Sequence, residues 1–131
     1  MSGETNLNEL IKSLSAELVD GLFVFASVPH DHKLEKTTPR MIFKEVEGTT
    51  YILLKSEAEA LEIPYEFPCR MITLNIHSSL EAVGFMARIA TELAKHDMGV
   101  NPVSGFFHDH LFVPDGRQND ALEVLRALSE S

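Results

Sequence analysis

Leu7, Leu10, Ile11, Leu14 and Leu18 recur at helical spacing, so the chain opens on an amphipathic helix. Asn6 and Glu9 are placed as its capping pair, and Asp20-Gly21 as its stop. Leu22–Val28 is apolar on both alternating sets and rich in β-formers, which predicts a strand covered on both faces and ended by Pro29. Residues 30–40 are polar and without periodicity, a loop. Met41–Glu47 and Thr50–Lys55 predict a hairpin closed through Glu47-Gly48. Ser56 with Glu59 forms a capping box for a helix of Ala58, Ala60, Leu61 and Ile63, which Pro64 limits to about two turns.

In the second half, Pro68–His77 predicts a strand with Ile72, Leu74 and Ile76 on one side and Thr73, Asn75 and His77 on the other. Ser78 and Glu81 then read as a capping box opening a long helix. Leu80, Val83, Ala87, Ala90 and Ala94 form one stripe of it, widened by Met86, Ile89 and Leu93. Lys95 and His96 suit the negative end of that helix, and Gly99 ends it. Val100–Phe107 and His110–Val113 pair as a hairpin turning at His108-Asp109, and Ala121, Leu122, Leu125 and Leu128 define a final helix. The halves read as α-β-β-β-α and β-α-β-β-α, with residues 64–68 and their two prolines as the candidate boundary. The economical architecture is an α+β fold of two βαββ-type halves, with antiparallel sheets and helices on one face.

Composition narrows the function classes. With 131 residues, 44% apolar and 24% charged, the chain is an ordinary globular domain, or two very small ones sharing a core. No apolar run approaches the ~20 residues that span a bilayer. The first residues lack the basic and apolar regions of a signal peptide, which leads to the expectation of a cytoplasmic protein. Cys69 is the single cysteine; it allows no intramolecular disulfide and no Cys-rich metal site, and its place in an apolar strand predicts a buried structural thiol. A net charge of −9 with scattered Lys and Arg argues against nucleic acid and against anionic membrane as partners.

The stretch Phe67–Phe85, with Thr73-Leu74-Asn75-Ile76-His77-Ser78-Ser79-Leu80-Glu81 at its centre, and the stretch Gly105–Pro114 together resemble the bacterial family of small tandem ACT-domain proteins. Gly21–Pro29 and the Glu-Gly hairpin look like the N-terminal unit of the same family, so the resemblance covers nearly the whole chain. It implies an N-terminal ACT-like unit over 1–66 and a C-terminal ACT domain over 67–131, each a ferredoxin-like βαββαβ unit. It further implies a regulatory protein that binds an amino acid between ACT units, as in aspartate kinase. The second unit also resembles the paired ACT domains of cytosolic arginine sensors. One departure stands out: the second unit finishes on its last helix and lacks a fourth strand of its own. That strand must come from the first half or from a second chain, which implies an intertwined pair of units and a homodimer.

The candidate site is the strand-to-helix junction His77, Ser78, Ser79, Leu80, Glu81, Ala82, Val83 and Gly84. A helix start presents unpaired N–H groups and a positive dipole end that suit a carboxylate, and Gly84 permits close backbone approach. The resemblance implies that an acid in the hairpin, here Asp109, holds the ligand's ammonium. The expected ligand-binding set is therefore His77, Ser78, Ser79, Glu81, Val83, Gly84, Phe107 and Asp109. The plainer reading is that Ser78, Ser79 and Glu81 only cap a helix, and that Phe106 and Phe107 are core residues of a strand.

His30-Asp31-His32 and His108-Asp109-His110 are His-X-His pairs, which in extended chain point both rings to one side and could chelate zinc, copper or iron. Both lie beside predicted turns, which destroy that alternation, and no third ligand is fixed locally; no metal and no cofactor are expected. There is no nucleophile elbow, phosphate loop or His-Glu-X-X-His, and Ser78 or Ser79 beside His77 has no orienting acid, so no enzymatic activity is expected. The reading is a small regulatory protein sensing an amino acid. The alternatives are a metal-binding protein or metal-dependent enzyme using the His-X-His pairs, and a ligand-free protein-interaction module.

Overall fold

A computed structural model describes residues 6–76 and 80–131. In chain order its elements are α1 (Leu7–Lys12), β1 (Ala16–Leu18), β2 (Phe23–Val28), β3 (Met41–Lys44), β4 (Thr49–Leu54), α2 (Lys55–Ala60), β5 (Glu66–Leu74), α3 (Phe85–Ala94), β6 (Pro102–Ser104), β7 (Asp109–Pro114) and α4 (Gln118–Ser129). They form two units, one of Gly21–Cys69 and one of Met1–Asp20 with Arg70–Ser131. Both are α+β, with antiparallel strands.

In the Gly21–Cys69 unit the strand order is β3-β4-β2-β5. The predicted hairpin is present, with Met41↔Ile52 through Lys44↔Thr49 in register and Glu45 N–H donating to Gly48 O at 2.8 Å. Alternation along β2 and β4 turns Val24, Ala26, Val28, Tyr51 and Leu53 toward Ala58 of α2, and Leu34 and Ile63 complete that core. The Ser56–Glu59 box does not cap α2, because β4 runs straight into the helix. Leu54 takes the N-cap position with no side-chain cap, and Lys55 N–H is held by Leu22 O at 2.8 Å, so Ser56 is already inside.

The other unit joins β1 and β7 to the later part of β5, with β6 outside β7. One apolar face, carrying Ile72, Leu74, Leu111 and Val113, is covered by Leu10 and Ile11 of α1, Ile89 and Leu93 of α3, and Leu125 and Leu128 of α4. The first helix is shorter than its apolar spacing predicts. It stops at Lys12, and Ala16–Leu18 instead pairs with Leu74–Ile72, locked by Asn75 N–H to Ser15 O at 2.7 Å and Val19 N–H to Met71 O at 2.9 Å. Non-local pairing here overrides local periodicity. It also supplies, from the chain's own first twenty residues, the fourth strand that the second half lacks.

Two further boundaries differ from expectation. The long helix begins at Phe85 rather than Ser78, because Gly84 is left-handed (φ 90) and a left-handed residue cannot lie inside a right-handed helix. Ser78 lies outside the described residues, and Glu81 stands outside the helix. The β6–β7 hairpin turns at 105–108, closed by Gly105 N–H to His108 O at 2.9 Å, rather than at His108-Asp109. Phe106 and Phe107 therefore ride the turn, 62% and 61% exposed, and are not core. No helix among the described residues is long and apolar enough to cross a membrane.

Candidate functional site

A cleft of about 150 Å3 lies between the segment leading into α3 and the β6–β7 hairpin, lined by Leu80, Ala82, Phe85 and Met86 on one side and Ser104, Gly105, His108 and Asp109 on the other. The start of α3 has no side-chain cap, since its N-cap residue is Gly84. The first bond from a helix residue back to the cap is Arg88 N–H to Gly84 O at 2.9 Å, which leaves the amides of Phe85, Met86 and Ala87 ahead of the intrahelical ladder. These donors and the positive end of the helix dipole favour an anionic group. Opposite them, Asp109 is 8% exposed and accepts a hydrogen bond from Ser104 Oγ. An uncapped helix start on one wall and a carboxylate on the other, with Ala82, Phe85 and Met86 among the lining, match the two charges of a zwitterion.

The structure brings together some of the residues expected from sequence and disperses others. Asp109 lines the cleft and Gly84 caps the helix that forms one wall. Val83 is 85% exposed and Glu81 is exposed, and neither lines the cleft. Phe107 sits on the hairpin turn, edge-on to Phe106 with ring centroids 5.0 Å apart. His77, Ser78 and Ser79 lie outside the described residues. Sequence reasoning missed Ser104, Met86 and His108. Placing the turn at Gly105 would have found Ser104, because the corrected register sets it directly opposite Asp109.

The histidines have other partners. His30 Nδ1 lies 3.0 Å from Thr49 Oγ1 and His110 Nδ1 3.0 Å from Thr73 Oγ1, while the rings of His108 and His110 are 6.4 Å apart. Among the described residues no three His, Cys, Asp or Glu side chains gather as a metal site. Cys69 is fully buried in β5 with Sγ 3.5 Å from Phe23 O, the structural thiol that the sequence predicts. A larger groove of about 610 Å3 runs along α3 and α4 and is lined by charged side chains. Arg117 there is paired with Asp120, and Glu123 with Arg126. Hydrogen bonding from Arg126 holds the Glu123 carboxyl of this groove below the usual range, and Glu123 raises Arg126 in turn. At the exposed Lys55–Glu59–Tyr65 cluster, hydrogen bonding from Lys55 holds the Glu59 carboxyl below the usual range, and Glu59 raises Lys55 in turn.

With this geometry in view, the relatives are informative. Models of the ACT domain match residues 2–70 and, separately, residues 66–127. The chain belongs to the ACT-domain family and carries the domain twice, in tandem. A protein of unknown function from Vibrio cholerae, described as a possible transport protein, is 35% identical, with 94% of this chain and 95% of that one covered and a TM-score of 0.85. The ligand-free regulatory subunit of aspartate kinase from Thermus thermophilus shares the fold at 13% identity, with 88% and 95% covered and a TM-score of 0.61. A putative C-terminal regulatory domain of aspartate kinase from Porphyromonas gingivalis does so at 15% identity, with 90% and 98% covered and a TM-score of 0.60. No curated protein matches the chain. ACT domains are typically regulatory, ligand-binding modules, and that is the class to which the protein belongs.

Proposed function

We propose that the protein senses an amino acid in the cleft between the start of α3 and the β6–β7 hairpin, and that it does so without catalysing a reaction. The observation that carries this reading is the uncapped helix start and the Asp109 carboxylate lining one small cleft. The amides at the start of α3 take the ligand's carboxylate, and Asp109 takes its ammonium. Glu81, Val83 and Phe107, with His77, Ser78 and Ser79, complete the ligand-binding set that the family resemblance implies. The functional division runs at 66/67, with the N-terminal ACT-like unit over 1–66 and the ligand-binding ACT domain over 67–131. The family resemblance supports a homodimer acting in the cytoplasm, in which a second chain takes part in the ligand interface.

Ligand binding orders the hairpin against α3 and favours one packing of the domain, so the signal is a shift of conformational population. A ligand at a hundredfold its Kd adds about 2.7 kcal/mol of stability by mass action. Thermal-shift screening of the standard amino acids on the full chain tests the reading: one or a few should raise Tm. Silence across the whole set would remove the sensing role. A fall in Tm on adding chelator would instead favour the metal alternative built on the His-X-His pairs.

A further inference from the structure

We infer that the Gly21–Cys69 unit docks an extended basic peptide segment, which lengthens its sheet along β2 at the place where β5 has not yet begun. The ladder leaves that place open. Leu22 O holds Lys55 N–H at 2.8 Å within the β2–β4 register. By alternation, Val24, Ala26 and Val28 exchange main-chain bonds with β4, while Phe23, Phe25 and Ser27 turn theirs toward the β5 side. There β5 pairs Cys69 with Phe23 and its first residue, Glu66, with Phe25. Two positions earlier stands Pro64, which has no N–H to carry the ladder on to Ser27. Among the described residues the N–H and C=O of Ser27 therefore have no main-chain partner, and they form a donor–acceptor fork at an open strand edge.

A cavity of about 460 Å3, in the size range of ligand pockets, lies at this fork and is lined by Ser27, Glu45, Thr50, Pro64, Tyr65 and Glu66 among others. Its charge selects the partner. The lining holds two carboxylates and no Lys, Arg or His. Glu45 accepts a hydrogen bond from Thr50 Oγ1, a neutral donor that leaves its charge in place, and the Glu66 side chain has no partner among the described residues. Lys55 lies 5.9 Å from the centre of the Tyr65 ring, but its charge is matched by Glu59 at 3.1 Å. Register puts Phe25, Ser27, Thr50 and Glu66 on one face of the sheet. A peptide residue that exchanges both main-chain bonds with Ser27 sends its own side chain to that face, beside the two carboxylates, so a lysine or arginine belongs there. Its two neighbours point to the opposite face, where Tyr65 packs beside the core of Val24, Ala26 and Val28, so apolar side chains belong there.

Titration of the full chain at low salt with the capped peptides acetyl-Val-Arg-Val-amide and acetyl-Val-Glu-Val-amide, followed by amide NMR, tests this. The arginine peptide should bind and shift the Ser27 amide signal, with the glutamate peptide at least roughly tenfold weaker. A methyl group on the main-chain nitrogen of the central arginine removes the N–H that Ser27 O accepts, and should weaken binding about three- to tenfold. Glu45→Gln combined with Glu66→Gln, two exposed positions, should narrow the preference for arginine over glutamate. Absence of binding by the arginine peptide, or equal binding by the glutamate peptide, would overturn the proposal. Undiminished binding by the methylated peptide would overturn it too, since the site would then hold a cation without adding a strand. A preference unchanged in the double variant would remove the two carboxylates and with them the basis for a basic partner.

Discussion

Ser104 and Asp109 face one another directly across the β6–β7 ladder, and the serine hydroxyl donates to the carboxylate. The bond ties a nearly buried acid to the strand opposite and so fixes the negative wall of the cleft. Asp109→Asn preserves an oxygen for Ser104, removes the charge and puts an amide NH2 in place of the second oxygen. Its melting temperature should stay near that of the parent protein, while any amino-acid-induced shift disappears. Asp109→Ala strands the hydroxyl as well and should cost about 1 kcal/mol in denaturant unfolding. A ligand shift that persists in Asp109→Asn would take the acid out of the site.

Gly48 closes the β3–β4 hairpin where no side chain fits: a Cβ there would stand 2.8 Å from Val28 O and 3.0 Å from Ser27 Oγ. The closer neighbour is main chain in the adjoining strand and cannot step aside. Gly48→Ala should therefore destabilise by about 1–3 kcal/mol, in the manner of overpacking. Gly99, whose Cβ would meet nothing within 4 Å, is the control, and its alanine variant should fall within about 0.5 kcal/mol of the parent. Equal effects at the two positions in urea titrations would contradict the hairpin geometry.

Cys69 is fully buried, with its Sγ directed at Phe23 O. Its reaction with an aromatic disulfide reagent should be slow in the native protein and reach the rate of a free thiol only in denaturant. Rapid stoichiometric labelling under native conditions would show that β5 opens far more readily than a central strand should.

Glu59 and Lys55 pair at 3.1 Å on the surface of α2, and Tyr65 OH donates to the same carboxylate. The Glu59 carboxyl is lowered, so its contribution is present above the usual carboxylate pKa and is lost as pH falls through the lowered value. Lys55 is raised, so its contribution is present below the usual lysine pKa and is lost as pH rises through the raised one. Between about pH 5 and pH 10 the pair should add no pH dependence. Glu59→Gln should flatten both limbs of a Tm–pH profile, because the Glu59 carboxylate is also what raises Lys55, and the difference should shrink in high salt because both groups are exposed.

Much of the fold was legible wherever the local pattern and the tertiary contacts agree. The hairpin around Gly48, the strand from Phe23 to Val28 and the last helix all follow from periodicity and turn chemistry. The failures have a common cause in information that local spacing does not carry. Leu14 and Leu18 keep helical spacing with Leu7 and Leu10, yet β1 forms because β5, far along the chain, offers it a ladder. Ser78 and Glu81 have the spacing of a capping box, but Gly84, at φ 90, sets the start of α3. Asp109 was singled out through the family resemblance, and it lies on the cleft wall. Ser104 was not, since its role depends on a register fixed by Gly105. The paired histidines held a chelate pattern in one dimension, whereas His30 and His110 each sit beside a threonine hydroxyl of a neighbouring strand.

Val19 N–H reaches Met71 O at 2.9 Å, so the chain leaves β1 and returns in β5 at almost the same place. Gly21–Cys69 is in this sense a module spliced into a reverse turn, with its donor and acceptor ends side by side. Antiparallel neighbours need only a tight turn to be joined. A graft of a few turn-forming residues from Asp20 to Arg70 would excise the insert and leave α1, β1, α3, the β6–β7 hairpin and α4 on one continuous, miniaturised scaffold.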